Sequence, residues 1–452
     1  MSDTLILGAG GLYPPLVEQL VDDGALTWPH GGADRRAMLD DHAADIRVVV
    51  SSAGVGADAR LIDALPNLEL IANFGVGYDA TDVDAATARG IPVTNTPDVL
   101  DDCVADLAIG LTIDVMRAIS ASDRYARQGR WKSDGPYPLQ RRVTGAKVGI
   151  LGLGRIGQAI ATRFEGFRCE IRYHNRSRKD VAYDYEESPA ALAEWADVLV
   201  VATPGGAQTK ALVDADVLAA LGENGYLVNI ARGSVVDQEA LIEALQHDAI
   251  AGAALDVFAT EPATESPLFN LPNVVVTPHL GASTTEAQEN VALQVAEQMS
   301  DYLLTGAVQN ALNMPSVTAE EAAVMGPWIK LAGHLGAFVG QMTDEPIKAI
   351  NILYDGVAAG MNLNALNAAV IAGVMKAANP DVNMVSAPVV ARERGIQIAT
   401  TTQDKAGVYD GYIKVTMVSG DRERANQYYR GEMHDVPADE GRSSMVTRDV
   451  RA

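Results

Sequence analysis

The stretch KVGILGLGRIGQAIATRF, residues 147–164, decides the fold of this chain. An apolar segment leads into three glycines spaced as G-x-G-x-x-G, and a helical pattern follows. In such a turn the first glycine permits the tight bend, the second lets the backbone approach a pyrophosphate, and the third lets helix and strand pack closely. The stretch predicts a dinucleotide-binding turn, with a glycine-rich turn that binds no ligand as the alternative. The cofactor-binding residues predicted here are Gly152, Gly154, Arg155, Ile156 and Gly157.

The next strand ends in RYHNRSRKD, residues 172–180, and bears on the choice of cofactor. The first residue after this strand, Asn175, lies eighteen residues beyond Gly157. This is near the spacing of about 20 at which an acidic residue commonly binds the ribose 2′-hydroxyl. Neutral and cationic donors stand there instead, and they suit a 2′-phosphate by charge-assisted pairing. We therefore expect NADP in preference to NAD, with a solvated basic loop in an NAD-using protein as the alternative. The donors are Asn175, Arg176, Ser177 and Arg178.

Bulk properties limit the class of protein. With 452 residues the chain is too long for one compact core, so two or three domains are expected. A net charge of −24 argues against nucleic acid or an anionic membrane as partner. No apolar run reaches the about 18 residues that span a bilayer, and the N-terminus lacks the basic segment of a signal peptide. Cys103 and Cys169 have no metal-site spacing, so we expect a cytoplasmic protein without a metal.

Apolar runs alternate with helical patterns along most of the chain, which predicts doubly wound parallel sheets. One series of strands begins with IRVVV (46–50), and a continuous helix is expected over 97–121. Beyond about 313 the pattern predicts a small α+β domain, and the charged stretch from 419 predicts a disordered tail. The second series of predicted strands is KVGILG (147–152), EIRYH (170–174), VLVVAT (198–203), GYLVNIA (225–231), AGAALDV (251–257) and VVVTPH (274–279).

Three residues follow the later strands of that second series. They are Arg232 in NIARGSVVD, Glu261 in LDVFATEP and His279 in VVVTPHLGAST. Parallel sheets bind their ligands at the carboxyl ends of the strands. Each residue alone is more often structural, but in this order and after that glycine motif the three predict a catalytic set.

With these motifs, together with NFGVGYDATDVDAA, the chain resembles the D-isomer-specific 2-hydroxyacid dehydrogenase family over residues 45–312. The resemblance implies a Rossmann domain inserted in a flavodoxin-like substrate lobe, an active site in the cleft, and a homodimer joined through the cofactor lobes. The expected domains are a substrate-binding lobe (1–96 and 284–312), a Rossmann dinucleotide-binding domain (97–283), an α+β intervening domain (313–418) and the tail (419–452).

The resemblance also implies the role of each site residue. Arg232 binds the substrate carboxylate, His279 exchanges a proton with the substrate oxygen, and Glu261 raises the pKa of His279. The backbone N–H groups of Val76 and Gly77 also bind the carboxylate. Contacts with the cofactor are implied for Asp256, near the nicotinamide carboxamide, and for Thr203 and Pro204.

Two branches of the family are visible in the chain. Up to about residue 250 it resembles glyoxylate/hydroxypyruvate reductases, and beyond that point it resembles 3-phosphoglycerate dehydrogenase, without the serine-binding ACT domain of the long form. The loop SSAGVGAD (51–58) has no cation before Arg60, and burying an unpaired phosphate dianion is prohibitive. We therefore expect a small unphosphorylated 2-oxo acid, hydroxypyruvate or glyoxylate, as substrate. The alternatives are D-3-phosphoglycerate dehydrogenase with NAD and, more remotely, a non-catalytic cofactor-sensing corepressor.

Overall fold

The computed structural model describes residues 5–10, 12–22, 26–27, 32–52, 54–342, 345–403 and 410–419, and the backbone of 422–430 and 444–448. The chain forms two compact units. The first consists of Met1–Thr96 together with Ala292–Ala452, and the second is Pro97–Val291.

The first unit begins with a sheet of five parallel strands in the order β2-β1-β3-β4-β5, which is the flavodoxin-like order. Its central strands are apolar and buried because helices cover both faces of a parallel sheet. The strands are β1 (Leu5–Ala9), β2 (Leu26–Thr27), β3 (Ile46–Ser52), β4 (Leu70–Phe74) and β5 (Val93–Thr94). The helices are α1 (Pro14–Asp22), α2 (Gly32–His42), α3 (Ala59–Ala64) and α4 (Val83–Ala88).

The second unit has a parallel sheet of seven strands in the order β12-β11-β10-β9-β6-β7-β8. The direction of the strand order reverses between β6 and β9, and such a switch point is where doubly wound sheets bind ligands. The strands are β6 (Lys147–Leu151), β7 (Glu170–His174), β8 (Asp184–Tyr185), β9 (Val198–Val201), β10 (Tyr226–Asn229), β11 (Gly252–Leu255) and β12 (Val274–Val276). The helices are α5 (Asp101–Arg117), α6 (Ile119–Arg127), α7 (Arg130–Ser133), α8 (Arg155–Gly166), α9 (Pro189–Trp195), α10 (Ala215–Leu221) and α11 (Gln238–Gln246), with 3₁₀ turns at Gly233–Val235 and Pro267–Asn270.

The expectation of one continuous helix over 97–121 is wrong. The backbone turns left-handed at Ala118, with φ of 51°, and divides the segment into α5 and α6. The Asp114 carboxylate accepts a hydrogen bond from Ser120 N at 2.8 Å. This bond takes an N–H group that would otherwise continue the helical pattern, and aspartate is prone to such local competition with the backbone.

The C-terminal part of the first unit is an α+β domain with a mixed sheet in the order β14-β13-β15-β16-β17. Alternate residues of β15, including Ile413 and Val415, face the core with α13 and α14. The two helices pack backbone to backbone, since a Cβ on Gly336 would lie 2.1 Å from Val370 O. The helices of this domain are α13 (Ala319–Gly340), α14 (Leu363–Lys376) and α15 (Ala387–Glu393), with a 3₁₀ turn at Val357–Gly360. Helix α12 (Thr285–Thr305) precedes the domain, and the boundary between the two units falls within it. The strands are β13 (Ile347–Gly356), β14 (Gln397–Gln403), β15 (Gly411–Ser419), β16 (Arg422–Arg430) and β17 (Ser444–Arg448).

By length and composition alone α13 could cross a membrane. Its inner residues belong to the core of the α+β domain, where Trp328 and Leu335 are buried. It is therefore packed as a core helix of this domain.

The prediction of a disordered tail from 419 is wrong where the backbone is described. There β16 pairs antiparallel with β15, and β17 pairs with β16. Main-chain hydrogen bonding to an open sheet edge adds strands without requiring apolar side chains, so charge density alone misjudged this segment. The rest of the expected tail lies outside the described residues.

Candidate active site

The glycine turn between β6 and α8 has room for a phosphate at one position and none at the other two. Gly152 has φ of 103° and lies against Thr203 N, and a Cβ on Gly157 would lie 2.2 Å from Gly152 O. A Cβ on Gly154 would meet nothing within 4 Å. Gly154 is also the N-cap of α8, and its N-terminus has no side-chain cap. This arrangement fits a dinucleotide, because open N–H groups and the helix dipole face the approach over Gly154.

Asn175 supports the glycine turn directly. Its Oδ1 accepts a hydrogen bond from Leu153 N at 2.6 Å, and its own carbonyl accepts one from Tyr185 Oη at 3.0 Å. The predicted ribose-reading position therefore also fixes the shape of the glycine turn.

The side chains that follow Asn175 are exposed. Arg176 Nη1 donates to Gln208 Oε1 at 2.5 Å, while Ser177 and Arg178 extend the exposed stretch. Two guanidinium groups thus lie at the carboxyl end of β7 beside a neutral amide. An exposed pair of cations of this kind suits an anionic ligand group.

The other predicted cofactor residues differ in their burial and in their side-chain partners. The Arg155 guanidinium pairs with Asp98 at 2.6 Å and with Asp101 at 3.3 Å. The group of Arg155 that would contact a phosphate is therefore its backbone N–H. Ile156 is half-buried in the first turn of α8. After β9, buried Thr203 donates its hydroxyl to the carbonyl of exposed Pro204 at 2.9 Å.

Arg232 follows β10 at the start of a 3₁₀ turn and is half-buried. Asn229, which is 1% exposed, shapes this segment: its Nδ2 donates to Arg232 O at 3.0 Å and its Oδ1 accepts from Ala231 N at 3.1 Å. A Cβ on Gly233 would lie 1.9 Å from Phe258 C. Glycine at this position therefore lets the Arg232 segment pack directly on the segment that leads to Glu261.

Glu261 and His279 form an ion pair. His279 Nδ1 donates to Glu261 Oε2 at 2.6 Å, and Glu261 Oε1 accepts from Phe258 N at 2.9 Å. With Nδ1 held in this way, Nε2 is the ring nitrogen left to exchange a proton with a substrate. His279 adopts φ of 55°, a left-handed conformation that is uncommon for a residue other than glycine and is often found at functional sites.

Each member of the pair shifts the pKa of the other. The hydrogen bond to Glu261 raises the pKa of His279 above its ordinary value, and this effect outweighs desolvation and the charge of Arg232. Desolvation acts to raise the pKa of Glu261, but the hydrogen bonds from His279 and Phe258 N, together with the charges of His279 and Arg232, lower it overall. The positive charge of Arg232 lowers the pKa of both groups.

Asp256 fixes the backbone of the turn that carries His279. It is 1% exposed, and its Oδ1 accepts from Thr277 Oγ1 at 2.6 Å and from Leu280 N at 2.7 Å. Its Oδ2 accepts from Gly281 N at 2.9 Å, and its carbonyl accepts from His279 N at 2.9 Å. This support was not foreseen, although a carboxylate directly after the apolar strand β11 was a signal for it. A contact of Asp256 with the nicotinamide stays a prediction.

The loop after β4, residues 75–80, contains Val76 and Gly77 and is held by buried polar side chains of the first unit. Asn95 Nδ2 donates to Val76 O at 2.9 Å. Thr81 Oγ1 donates to Asn73 Oδ1 at 2.7 Å and accepts from Ala57 N at 3.3 Å. Sequence reasoning missed these supporting residues, of which Asn73 carried a signal as a polar residue inside the apolar strand β4.

Cations are scarce around this loop. Between residues 48 and 88 the sequence has one basic residue, Arg60, which is exposed in the first turn of α3. The next one, Arg89, donates to Leu65 O at 2.9 Å and Pro66 O at 3.1 Å. Among the described residues no group of three His, Cys, Asp or Glu could hold a metal ion.

Comparison with known proteins identifies two family models in the chain. The model described as D-isomer specific 2-hydroxyacid dehydrogenase, NAD binding domain, matches residues 109–281. The model described as D-3-phosphoglycerate dehydrogenase intervening domain matches residues 324–428.

Full-length relatives reflect the same two parts. Glyoxylate/hydroxypyruvate reductase A HPR2 of Arabidopsis thaliana is 48% identical over 260 residues, which cover 57% of this chain and 83% of the relative. D-3-phosphoglycerate dehydrogenase of Mycobacterium tuberculosis is 35% identical over 436 residues, which cover 93% and 80%. The solved structure of an NADPH-dependent glyoxylate/hydroxypyruvate reductase from Sinorhizobium meliloti, in complex with NADP and malonate, is 39% identical with a TM-score of 0.62 and covers 71% of this chain and 98% of that chain.

Proposed function

The chain belongs to the D-isomer specific 2-hydroxyacid dehydrogenase family, and on that premise we propose that it reduces a small unphosphorylated 2-oxo acid, hydroxypyruvate or glyoxylate, with NADPH. It is a nicotinamide-dependent oxidoreductase that acts on 2-hydroxy acids. The observation that carries the proposed chemistry is the 2.6 Å ion pair of His279 with Glu261, within the electrostatic reach of Arg232.

The proposed reaction divides the work among these three side chains. A bound nicotinamide dinucleotide supplies the hydride that reduces the 2-oxo carbon. The Arg232 guanidinium pairs with the substrate carboxylate and stabilises negative charge on the adjacent oxygen. His279 gives its Nε2 proton to that oxygen as the charge develops, while Glu261 keeps Nδ1 protonated and the ring oriented. In the oxidation direction neutral His279 accepts the same proton.

The preference for NADPH is proposed from the loop after β7. A carboxylate at position 175 would repel a 2′-phosphate, but the side chain there is an amide whose Oδ1 already accepts from Leu153 N. Arg176 and Arg178 supply exposed cations next to it. A guanidinium can pair with two phosphate oxygens at once, which favours the phosphorylated ribose.

The preference for an unphosphorylated substrate is proposed from the charges of the first unit. The segment from 48 to 88 contains six acidic residues and one cation, Arg60. A phosphate dianion desolvated among those carboxylates would lack a partner, and removing a charge from water without a partner costs several kcal/mol or more. Hydroxypyruvate and glyoxylate bring only the single carboxylate that is proposed to pair with Arg232.

D-3-phosphoglycerate dehydrogenase activity is the second candidate. The match of the intervening domain to residues 324–428 favours it, as does the 35% identity over 436 residues. This activity would require Arg60, or an arginine of a partner subunit, to bind the phosphate.

One panel of assays separates the candidates. Hydroxypyruvate, glyoxylate and 3-phosphohydroxypyruvate are each assayed with NADPH and NADH, and we expect the highest kcat/KM for an unphosphorylated acid with NADPH. The same panel on Arg60→Gln serves as control and should leave hydroxypyruvate turnover unchanged. A higher kcat/KM for 3-phosphohydroxypyruvate that Arg60→Gln removes would establish the second candidate instead.

A further inference from the structure

Two asparagines join the α+β domain to the first lobe of its unit, the part built on β1–β5. Asn313 Nδ2 donates to Thr87 Oγ1 at 3.0 Å and Ile91 O at 2.9 Å, and Asn383, which lies between α14 and α15, makes the second contact. Asn383 Nδ2 donates to Gly90 O at 2.7 Å. Its Oδ1 accepts from Val385 N at 2.9 Å and from Ser386 N at 3.3 Å. The amide therefore caps its own turn with the oxygen and reaches the other lobe with the nitrogen.

Gly90 allows this approach because it has no side chain. Its φ is 70°, and a Cβ there would lie 2.2 Å from Asn383 Nδ2. Gly90 N donates to Thr87 O at 2.9 Å, so the glycine closes the C-terminal end of α4. We call the contact of Asn383 with Gly90 the latch. It is a close contact between two domains.

The opposite end of α4 holds the 75–80 loop. Asp82 caps the helix by accepting from Ala85 N at 2.8 Å, and Thr81 N donates to Tyr78 O at 2.9 Å. Six residues of helix, about 9 Å in length, separate this cap from the end bound by the latch. Helix α4 also has a buried side, since Ala86 and Thr87 are buried. It can therefore pass a displacement from one end to the other.

We propose that Asn383 is a positioning residue that acts through Gly90 and α4 on the 75–80 loop, and so sets the affinity for the substrate carboxylate. The inference rests on the proposed function, because Val76 and Gly77 of that loop are the proposed carboxylate donors. A domain that supplies no group to the reaction thereby controls KM. We expect the latch to affect neither proton transfer nor nucleotide binding.

The test compares two asparagines of the same turn in the full-length protein. Asn383→Asp keeps the oxygen that accepts from Val385 N and replaces the donor to Gly90 by a carboxylate that repels the carbonyl. Asn379→Asp is the control, because Asn379 Oδ1 accepts only locally, from Asp381 N at 3.2 Å. We expect Asn383→Asp to raise KM for the 2-oxo acid about 3- to 10-fold, the value of one hydrogen bond, and to leave kcat and the Kd of NADPH unchanged. Asn379→Asp should change none of these.

Amide hydrogen exchange gives a readout that does not depend on turnover. Amides of residues 75–82 should exchange faster in Asn383→Asp than in the wild type or in Asn379→Asp. This measurement tests whether the latch acts on the loop even if the wild type reduces none of the three acids. Should Asn383→Asp fail to fold, Asn383→Ser replaces it, because serine keeps an oxygen near the turn but does not reach Gly90. Unchanged KM and exchange would overturn the proposal, as would an equal loss of NADPH and substrate affinity.

Discussion

The loop after β7 and the turn after β12 both follow the carboxyl ends of strands in one parallel sheet, yet the structure holds them differently. In the loop after β7 the backbone is fixed by tyrosine hydroxyls: Tyr173 Oη accepts from Lys179 N at 2.9 Å, and Tyr185 Oη donates to Asn175 O at 3.0 Å. The side chains of Arg176 and Arg178 remain exposed. In this loop the fold does not depend on the charged groups.

In the turn after β12 the proposed catalytic residue, His279, belongs to the supporting network itself. Buried Asp256 accepts three hydrogen bonds from residues 277–281 with its carboxylate, and Glu261 holds the His279 ring. The left-handed backbone of His279 persists because these bonds over-determine it. The groups proposed to select the cofactor can therefore be exchanged at little structural cost, whereas the group proposed to exchange a proton cannot move without its network.

The largest expected effect comes from removing the imidazole. His279→Ala should lower kcat about 10²- to 10⁴-fold, the usual contribution of a general acid or base, and leave the Kd of NADPH near its wild-type value. His247→Ala is the matched control, since that histidine is exposed at the end of α11 and bonds only to Glu243 O. Steady-state rates and a fluorescence titration with NADPH measure both variants. Near-normal turnover of His279→Ala would remove this residue from its role.

A smaller effect, confined to cofactor choice, is expected in the loop after β7. Arg176→Asp should raise the KM for NADPH about 10- to 100-fold, the value of a charged hydrogen bond, with little change for NADH and no change in melting temperature. Arg142→Asp, at another exposed position of the same unit, controls for the change in net charge. Equal losses for both cofactors would make the loop incidental to the choice between them.

Local sequence patterns were sufficient for most of the fold. The predicted runs match six strands of the second unit's sheet, and most of these are apolar because a strand buried on both faces must be apolar along its length. Strand β7 (Glu170–His174) is the exception, since it carries charged side chains and is largely not buried. The break at Ala118 was missed because it depends on a side-chain bond from Asp114 rather than on glycine or proline. The strands β16 and β17 were missed because the neighbouring edge of β15, and not their own composition, permits them.

In the candidate site, too, local patterns predicted some residues and missed others. Motifs with a fixed backbone requirement, such as the turn of Gly152 and Gly157, could be assigned from spacing alone. Asp256 had a local signal as a carboxylate directly after β11. Its contact with Leu280, like that of Asn383 with Gly90, joins residues distant in sequence that local spacing does not pair. Arg155 shows the converse. It stands at a predicted position of the glycine motif, but its guanidinium pairs with an acidic residue of the same unit, Asp98.

The pH dependence of reduction in Glu261→Gln tests most directly whether the His279–Glu261 pair carries the proton. Glutamine keeps an acceptor for Phe258 N but removes the negative charge that raises the pKa of His279. Reduction requires protonated His279, so wild-type kcat/KM should fall as pH rises through that raised pKa. In Glu261→Gln the pKa of His279 returns toward its ordinary value, and we predict that the fall moves to lower pH. An identical pH midpoint in both proteins would contradict the assignment of this pair.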